Sequence, residues 1–465
     1  MSLVSLADFG STYTKVALVE GGSGRLLGRG EAPTSSATDL MEGYATALAR
    51  ARKAAGSEAP LEHEIAASSA GGGLRVAAIG LVADLTAAAA QQAALNAGAR
   101  VGAVLSGTLG AAERERLETS RPEIVLFAGG TDGGRRDLVL ENARRLAACE
   151  IDAYVVVACN AAVADEAASI LDDAGFAAEV AANVMPALGR LAIDGARGAI
   201  SRAFLEHVIG GKGLSAGPEF ARIVRMPTPE AVLDATRLLS LGTTGRPGAG
   251  DAIVVDIGGA TTDVHSQRAL EPSAPGTRSP LLPPPLTLRT VEGDLGLRAG
   301  AAGAIEADRR WLSEQLAEHG VEDLEPLAAR RAADPAWIPD RPVDAAADRL
   351  LAVACATHAI NRHCGTMRLT RSEKGPPTLV RDGPDLREVG QLIGTGGVLA
   401  HGEAGAEVLR TALERRAARS LSPREADVRV DRGYVLAAAG LLATLDPGAA
   451  FNLLELELLS GSSNN

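Results

Sequence analysis

Residues 253–264 read IVVDIGGATTDV, an apolar run ending in Asp256, Gly258, Gly259, Thr261, Thr262 and Asp263. Near the start, residues 6–20 read LADFGSTYTKVALVE and place Asp8, Gly10, Ser11, Thr12, Thr14 and Lys15 after a similar apolar run. Taken singly, each stretch fits two readings. Glycine and small polar residues make tight β-hairpin turns. They also make phosphate cradles, because a backbone without a Cβ comes close to an oxyanion while hydroxyl and N–H groups face it. The repeat weighs between them. Asp8 aligns with Asp256, Gly10 with Gly258 and Thr14 with Thr262, each at an offset of 248 (256 minus 8), and Val16 and Val264 follow. Two unrelated turns rarely share that order.

A third glycine turn lies in EVGQLIGTGGVLAHG, where a strand runs into Gly394, Thr395, Gly396 and Gly397 and then into a segment that reads as helix. Two facing hairpins that cradle phosphates, with a strand–GTGG–helix turn against base and sugar, make one nucleotide site between two similar lobes. The combination resembles the actin, sugar-kinase and Hsp70 superfamily of ATPases. That resemblance implies an α/β fold of two ribonuclease-H-like lobes closing on Mg-ATP. It implies that Asp8 and Asp256 serve the Mg²⁺ shell through water and that either orients an attacking water. Gly10, Ser11, Thr12, Gly258, Gly259, Thr261 and Thr262 are then phosphate-facing, and Lys15 neutralises phosphate charge. Gly394, Thr395, Gly396 and Gly397 face the adenosine.

Composition narrows the function classes. A chain of 465 residues is long enough for two or three domains. Apolar residues make up 46% and aromatics only 3%, so Ala, Leu and Val must build the core. A net charge of −12 repels phosphate backbones and anionic lipid, which argues against nucleic acid and membrane surfaces as partners. No apolar run reaches the length of a membrane span, and no secretory signal opens the chain. Cys149, Cys159, Cys355 and Cys364 form no C-x-x-C pair and suit a reducing cytoplasm. The cluster CATHAINRHC invites a metal reading, but on a helix Cys355, His358, His363 and Cys364 point in diverging directions.

From about residue 107 strands and helices alternate: PEIVLFAGGTDGG, LVLENARRLAA, DAYVVVACN and AAVADEAASILDDAG. Alternation of this kind predicts a parallel sheet with crossover helices. Ala128 to Gly134 sits at its carboxyl edge, either as a secondary ligand loop or as a tight turn needing positive φ at Gly129 or Gly130. The expected division is a first ATPase lobe over 1–106, an inserted α/β subdomain over 107–247 that meets a partner, and a second lobe over 248–465. Residues 272–285 carry six prolines and predict a mobile hairpin extension.

LADFGSTYTK, SSAGGGLR, LFAGGTDGG, VMPALGRL, VIGGKGLS, DIGGATTDVHS, TVEGDLGLR and IGTGGVLAH together resemble the glutamate mutase L family, from residue 3 to roughly residue 450. The family's members accompany adenosylcobalamin-dependent mutases such as glutamate (methylaspartate) mutase and ornithine aminomutase. The resemblance implies an ATP-dependent reactivating chaperone for such a mutase, with slow ATP hydrolysis and no cobalamin of its own. The competing expectations are a small-molecule kinase on the same lobes, with Asp256 or Asp263 as base, and a non-hydrolysing nucleotide-binding scaffold.

Overall fold

The first hairpin joins β1 (Leu3–Phe9) to β2 (Tyr13–Glu20), and β3 (Leu26–Pro33) extends it. In the computed structural model, residues 2–35, 38–209, 213–269, 277–278, 282–321, 323–370, 378–402 and 404–460 are described. Alternation along β1 and β2 sends Leu6 and Ala17 to one face and Phe9, Val16 and Leu18 to the other, so both faces are covered by apolar packing. The helix Leu40–Ala55 lies on β3; it starts at Asp39, whose carboxylate accepts from the Met41 N–H, and ends at Gly56 in the left-handed region.

Two further strands complete the sheet: β4 (Leu61–Ser68) pairs parallel to β1, and β10 (Val224–Pro227) pairs parallel to β4. Between those two come β5 (Arg75–Gly80), β6 (Arg100–Ser106), β7 (Ile124–Gly129), β8 (Tyr154–Cys159) and β9 (Ala178–Val180). They form a separate, wholly parallel sheet in the order β6-β5-β7-β8-β9. The second lobe repeats the first with β11 (Ala252–Ile257), β12 (Thr262–Gln267), β13 (Thr287–Glu292), β14 (Gln391–Thr395) and β15 (Asp427–Val430).

The two lobe sheets have one topology. The orders are β3-β2-β1-β4-β10 and β13-β12-β11-β14-β15. In each, the first three strands run antiparallel and the last two run parallel to the first. These are two ribonuclease-H-like lobes, the plan of the actin, sugar-kinase and Hsp70 ATPases. Between them pack the helices Thr228–Leu241 and Val435–Leu442, which share a core with Val4, Leu6, Ala17 and Val19 of one lobe and Val254 and Ile393 of the other. A Cβ on Gly440 would meet the Ala231 carbonyl at 1.9 Å, so these two helices touch backbone to backbone. Small side chains set the spacing of the lobes.

Sheet membership moves the expected domain limits. β5 pairs with both β6 and β7, so the insertion begins near residue 70 and the limit at 106/107 falls inside it. β10 and the helix Thr228–Leu241 belong with the first lobe and the inter-lobe core, so the insertion ends near residue 223. Which sheet a short apolar strand joins depends on partners far away in the chain. Of the proline-rich stretch, Thr277 and Arg278 pair with Leu379 and Val380, while 270–276 and 279–281 lie outside the described residues. No helix among the described residues is long and apolar enough to cross a membrane.

Candidate nucleotide site between the lobes

The two glycine turns are built alike. The Gly10 N–H donates to the Tyr13 carbonyl at 3.2 Å, and the Gly258 N–H donates to the Thr261 carbonyl at 2.9 Å. Each turn follows a strand whose last inward carboxylate is paired across the hairpin: Asp8 faces Lys15, and Asp256 faces Asp263. The repeat in the sequence is therefore a repeat in register.

Asp8 lies at the start of the inter-lobe helix, where the Thr228 hydroxyl donates to its Oδ1 at 2.6 Å. Lys15 Nζ is 3.9 Å from Asp8 Oδ2 and 4.2 Å from the centre of the Tyr434 ring, so it spans from the first lobe to the second. Two more contacts cross the cleft beside it. The Arg29 guanidinium donates to the Arg432 carbonyl, and His401 lies 3.8 Å from Glu31. These residues bound a cavity of about 440 Å³, with Asp8, Lys15 and Glu31 on one wall and His401, Arg432 and Tyr434 on the other.

Negative charge gathers on the second-lobe side. Burial, and then the neighbouring Asp263, push the Asp256 carboxyl up to about 7; Asp8 and Asp431 add to the rise and Lys15 opposes it. Asp431 accepts from the Val435 and Leu436 N–H groups at the start of a helix, and burial still raises its pKa. Asp263 has a partner of its own. It accepts from Arg289 Nε at 2.8 Å, and Arg289 is only 2% exposed. A base role for Asp263, expected on the kinase reading, conflicts with that ion pair.

The other sequence candidates separate into those near the cleft and those behind it. Ser11, Thr12, Gly259 and Thr261 lie at or beside the turns with some exposure. Thr262 does not: its side chain is fully buried and its hydroxyl donates to the Leu295 carbonyl at 2.9 Å. The aligned Thr14 is buried in the same way against Thr34. Strand alternation turns both hydroxyls toward the core, which corrects the reading of Thr262 as a phosphate donor. In the third turn Gly394 is buried, and Thr395 is 5% exposed with its hydroxyl 3.4 Å from Asp431. Gly396 has φ of +97°, and a Cβ there would meet the Ile257 carbonyl at 2.3 Å. Gly397 is the exposed member, and a Cβ on it would meet only the Tyr434 hydroxyl, at 3.9 Å.

Several supporting residues escaped the sequence reading. The loop Gly293–Gly300 braces the second turn: the Leu297 N–H donates to the Gly258 carbonyl at 3.1 Å and the Arg298 N–H to the Gly259 carbonyl at 2.7 Å. Arg298 in turn joins Asp348 at 3.0 Å, and Asp348 holds the fully buried Arg331 at 2.8 Å. The motif TVEGDLGLR was the available signal, but nothing local ties it to residue 258. In the inserted sheet, Gly129 and Gly130 have φ of +144° and +71°. That loop is fastened to its neighbours, with Asp132 accepting from the Ala161 N–H and the Asn183 amide and Asn160 holding the Gly133 N–H. It is a tight turn.

A family model described as MutL protein matches residues 4–458. This chain belongs to the MutL family, the glutamate mutase L proteins. Protein MutL of Clostridium tetanomorphum is 39% identical over 462 residues, covering 99% of this chain and all of that protein. Among solved structures, the chain is similar to a diol dehydratase-reactivating factor in nucleotide-free form (TM-score 0.37, 12% identity, 96% of this chain and 100% of that one). It is also similar to a glycerol dehydratase reactivase (TM-score 0.36, 12% identity, 95% of this chain and 99% of that one).

Proposed function

We propose that the chain is an ATP-dependent reactivating chaperone of an adenosylcobalamin-dependent mutase of the glutamate mutase or aminomutase type. Membership of the MutL family supports the choice of partner. The observation that carries the ATP reading is the pair of like-built turns, Gly10–Thr12 and Gly258–Thr261, at the cleft between two lobes of one topology. On this reading both turns receive the phosphates, Lys15 balances their charge, and the cavity beside Tyr434 takes the adenosine.

No group of three or more His, Cys, Asp or Glu side chains close enough to hold a metal occurs among the described residues. Asp8 and Asp256 instead suit an ion held chiefly by phosphate and water, and burial, then the carboxylates around Asp256, raise its pKa in a way that a nearby cation would offset. Such an ion, when bound, neutralises the charge of the transferring phosphoryl group. The chain's own contribution is to position the phosphates between two lobes and to hold a carboxylate near the attacking water.

Loss of the γ-phosphate removes contacts made by both turns, so the lobes rest at different angles before and after hydrolysis. A difference of a few kcal/mol between such states shifts a two-state partner by two orders of magnitude or more. The inserted sheet, which the two-lobe plan does not require, is the surface that meets the mutase. The test loads a mutase with hydroxocobalamin and adds this protein, free adenosylcobalamin, and either ATP or a non-hydrolysable analogue. Activity recovers only with ATP on this reading. No recovery with the cognate mutase, together with phosphorylation of a small acceptor, would establish a kinase instead.

A further inference from the structure

Away from the cleft, the second lobe carries a concentration of arginine that the chain's net charge of −12 does not lead one to expect. The segment ERRAARSLSPRE, residues 414–425, connects the helix Gly405–Glu414 to β15. Its backbone is fixed on both sides. The Met367 N–H donates to the Arg419 carbonyl, the Leu421 N–H to the Gly365 carbonyl, the Leu386 N–H to the Leu421 carbonyl and the Arg424 N–H to the Arg387 carbonyl, at 2.7–3.2 Å. The segment bounds a cavity of about 460 Å³ whose wall includes Arg387, Arg416, Arg419, Arg424, Ser420 and Ser422. Cavities of this order hold small ligands.

The charges on that wall are unevenly satisfied. Asp385 holds Arg387 through two bonds of 2.9 and 2.7 Å, and Arg424 is 4.0 Å from Glu388. Arg416 and Arg419 form no ion pair among the described residues, and Glu425 is the acid on the wall. Ser422 is 1% exposed, and its Oγ is buried with no hydrogen-bond partner among the described residues. A buried hydroxyl without a partner costs free energy unless something fills its place. Guanidinium forks on the cavity wall match the oxygens of a phosphate group.

We propose that this cavity is a second anion site, for a small phosphate-bearing molecule, separate from the inter-lobe cleft. It lies at the amino end of β15, whereas the cleft residues Asp256, Thr395 and Asp431 lie at the carboxyl ends of β11, β14 and β15. The length of β15 alone separates them by roughly 13 Å, at about 3.3 Å per residue. The proposal does not depend on the chaperone reading.

The test is calorimetric titration of the full chain, free of nucleotide and Mg²⁺, with inorganic phosphate and with glycerol 3-phosphate. Saturable binding is expected, weakened at least tenfold in Arg416→Gln/Arg419→Gln, a change at two exposed positions that leaves the fold intact by circular dichroism. Lys15→Gln in the cleft should leave it unchanged. Tighter binding of the ester assigns the site to a phosphorylated metabolite, and equal binding to the free oxyanion. Absence of binding, insensitivity to the arginine pair or loss in Lys15→Gln would overturn the proposal. So would tighter, arginine-dependent binding of a glutamate decapeptide, which would make the surface a docking site for an acidic protein.

Discussion

Arg289 joins the second hairpin to the inserted subdomain: its Nε donates to Asp263 Oδ1 at 2.8 Å while its Nη1 donates to the carbonyls of Leu95 and Ala99 at 2.8 and 2.7 Å. The Leu95 carbonyl lies in the last turn of the helix Ala88–Asn96 and that of Ala99 just past its end, where a cation is favoured by the helix dipole. Asn96 doubles the link, donating to the Thr287 carbonyl at 2.8 Å and accepting from the Arg289 N–H at 3.0 Å. Asp263 pairs in register with Asp256, so one arginine lies between the candidate nucleotide carboxylates and the insertion.

Removing Arg289 should therefore cost more than a surface ion pair. Arg289→Met leaves Asp263 buried without its partner, a change of about 3–5 kcal/mol. Urea unfolding should show this loss, and Asp263→Asn added to Arg289→Met should recover a large part of it. Full additivity of the two changes would mean that the pair is not coupled.

Asp256 carries a pH dependence of definite sign. Its folded pKa, about 7, exceeds the ordinary 3.8, so the folded state binds the proton more tightly. The stabilisation from that proton is complete below about pH 4 and is lost as pH rises to 7 and beyond. In the nucleotide-free protein, Asp256→Asn should flatten this slope and raise the melting temperature at pH 8 by a few degrees. The same variant, like Asp8→Asn, should lose most Mg-dependent ATP turnover. A variant unchanged in both measurements would remove Asp256 from the site.

The third turn is tested at Gly397 rather than Gly396. Gly396→Val meets the Ile257 backbone and forces an unfavourable φ, so it should unfold the turn and lower the melting temperature. Gly397→Val enters open space near Tyr434, so it should keep the wild-type melting curve and weaken ATP at least tenfold. Wild-type affinity in that variant would move the adenosine pocket elsewhere.

Lobe spacing is tested at Gly440. Valine there must push apart the helices Thr228–Leu241 and Val435–Leu442, at a cost of about 1–3 kcal/mol. Urea unfolding should register that cost, and nucleotide affinity should fall with it, because Asp8 is held by the first of these helices through Thr228. Lost stability with unchanged affinity would separate the helix contact from the cleft.

Exchange of backbone hydrogens on the complex with a cognate mutase should slow in the inserted sheet β5–β9. Protection confined to the two lobes would place the partner there instead.

The sequence by itself determined the two hairpins, the GTGG turn and the two-lobed plan, because turn chemistry is local and the 248-residue repeat survives in residue order. It also determined that the inserted region is a parallel sheet, since alternation of strand and helix permits little else. Only the tertiary structure decided where the insertion starts, because β5 and β6 choose partners more than twenty residues away. It alone turned the Thr262 hydroxyl into the core, since which strand face meets the cleft depends on how the lobes pack. Arg289, Arg298 and Arg331 were invisible for the same reason: an arginine's place inside a protein is set by the carboxylates and carbonyls that surround it, and here those come from distant parts of the chain.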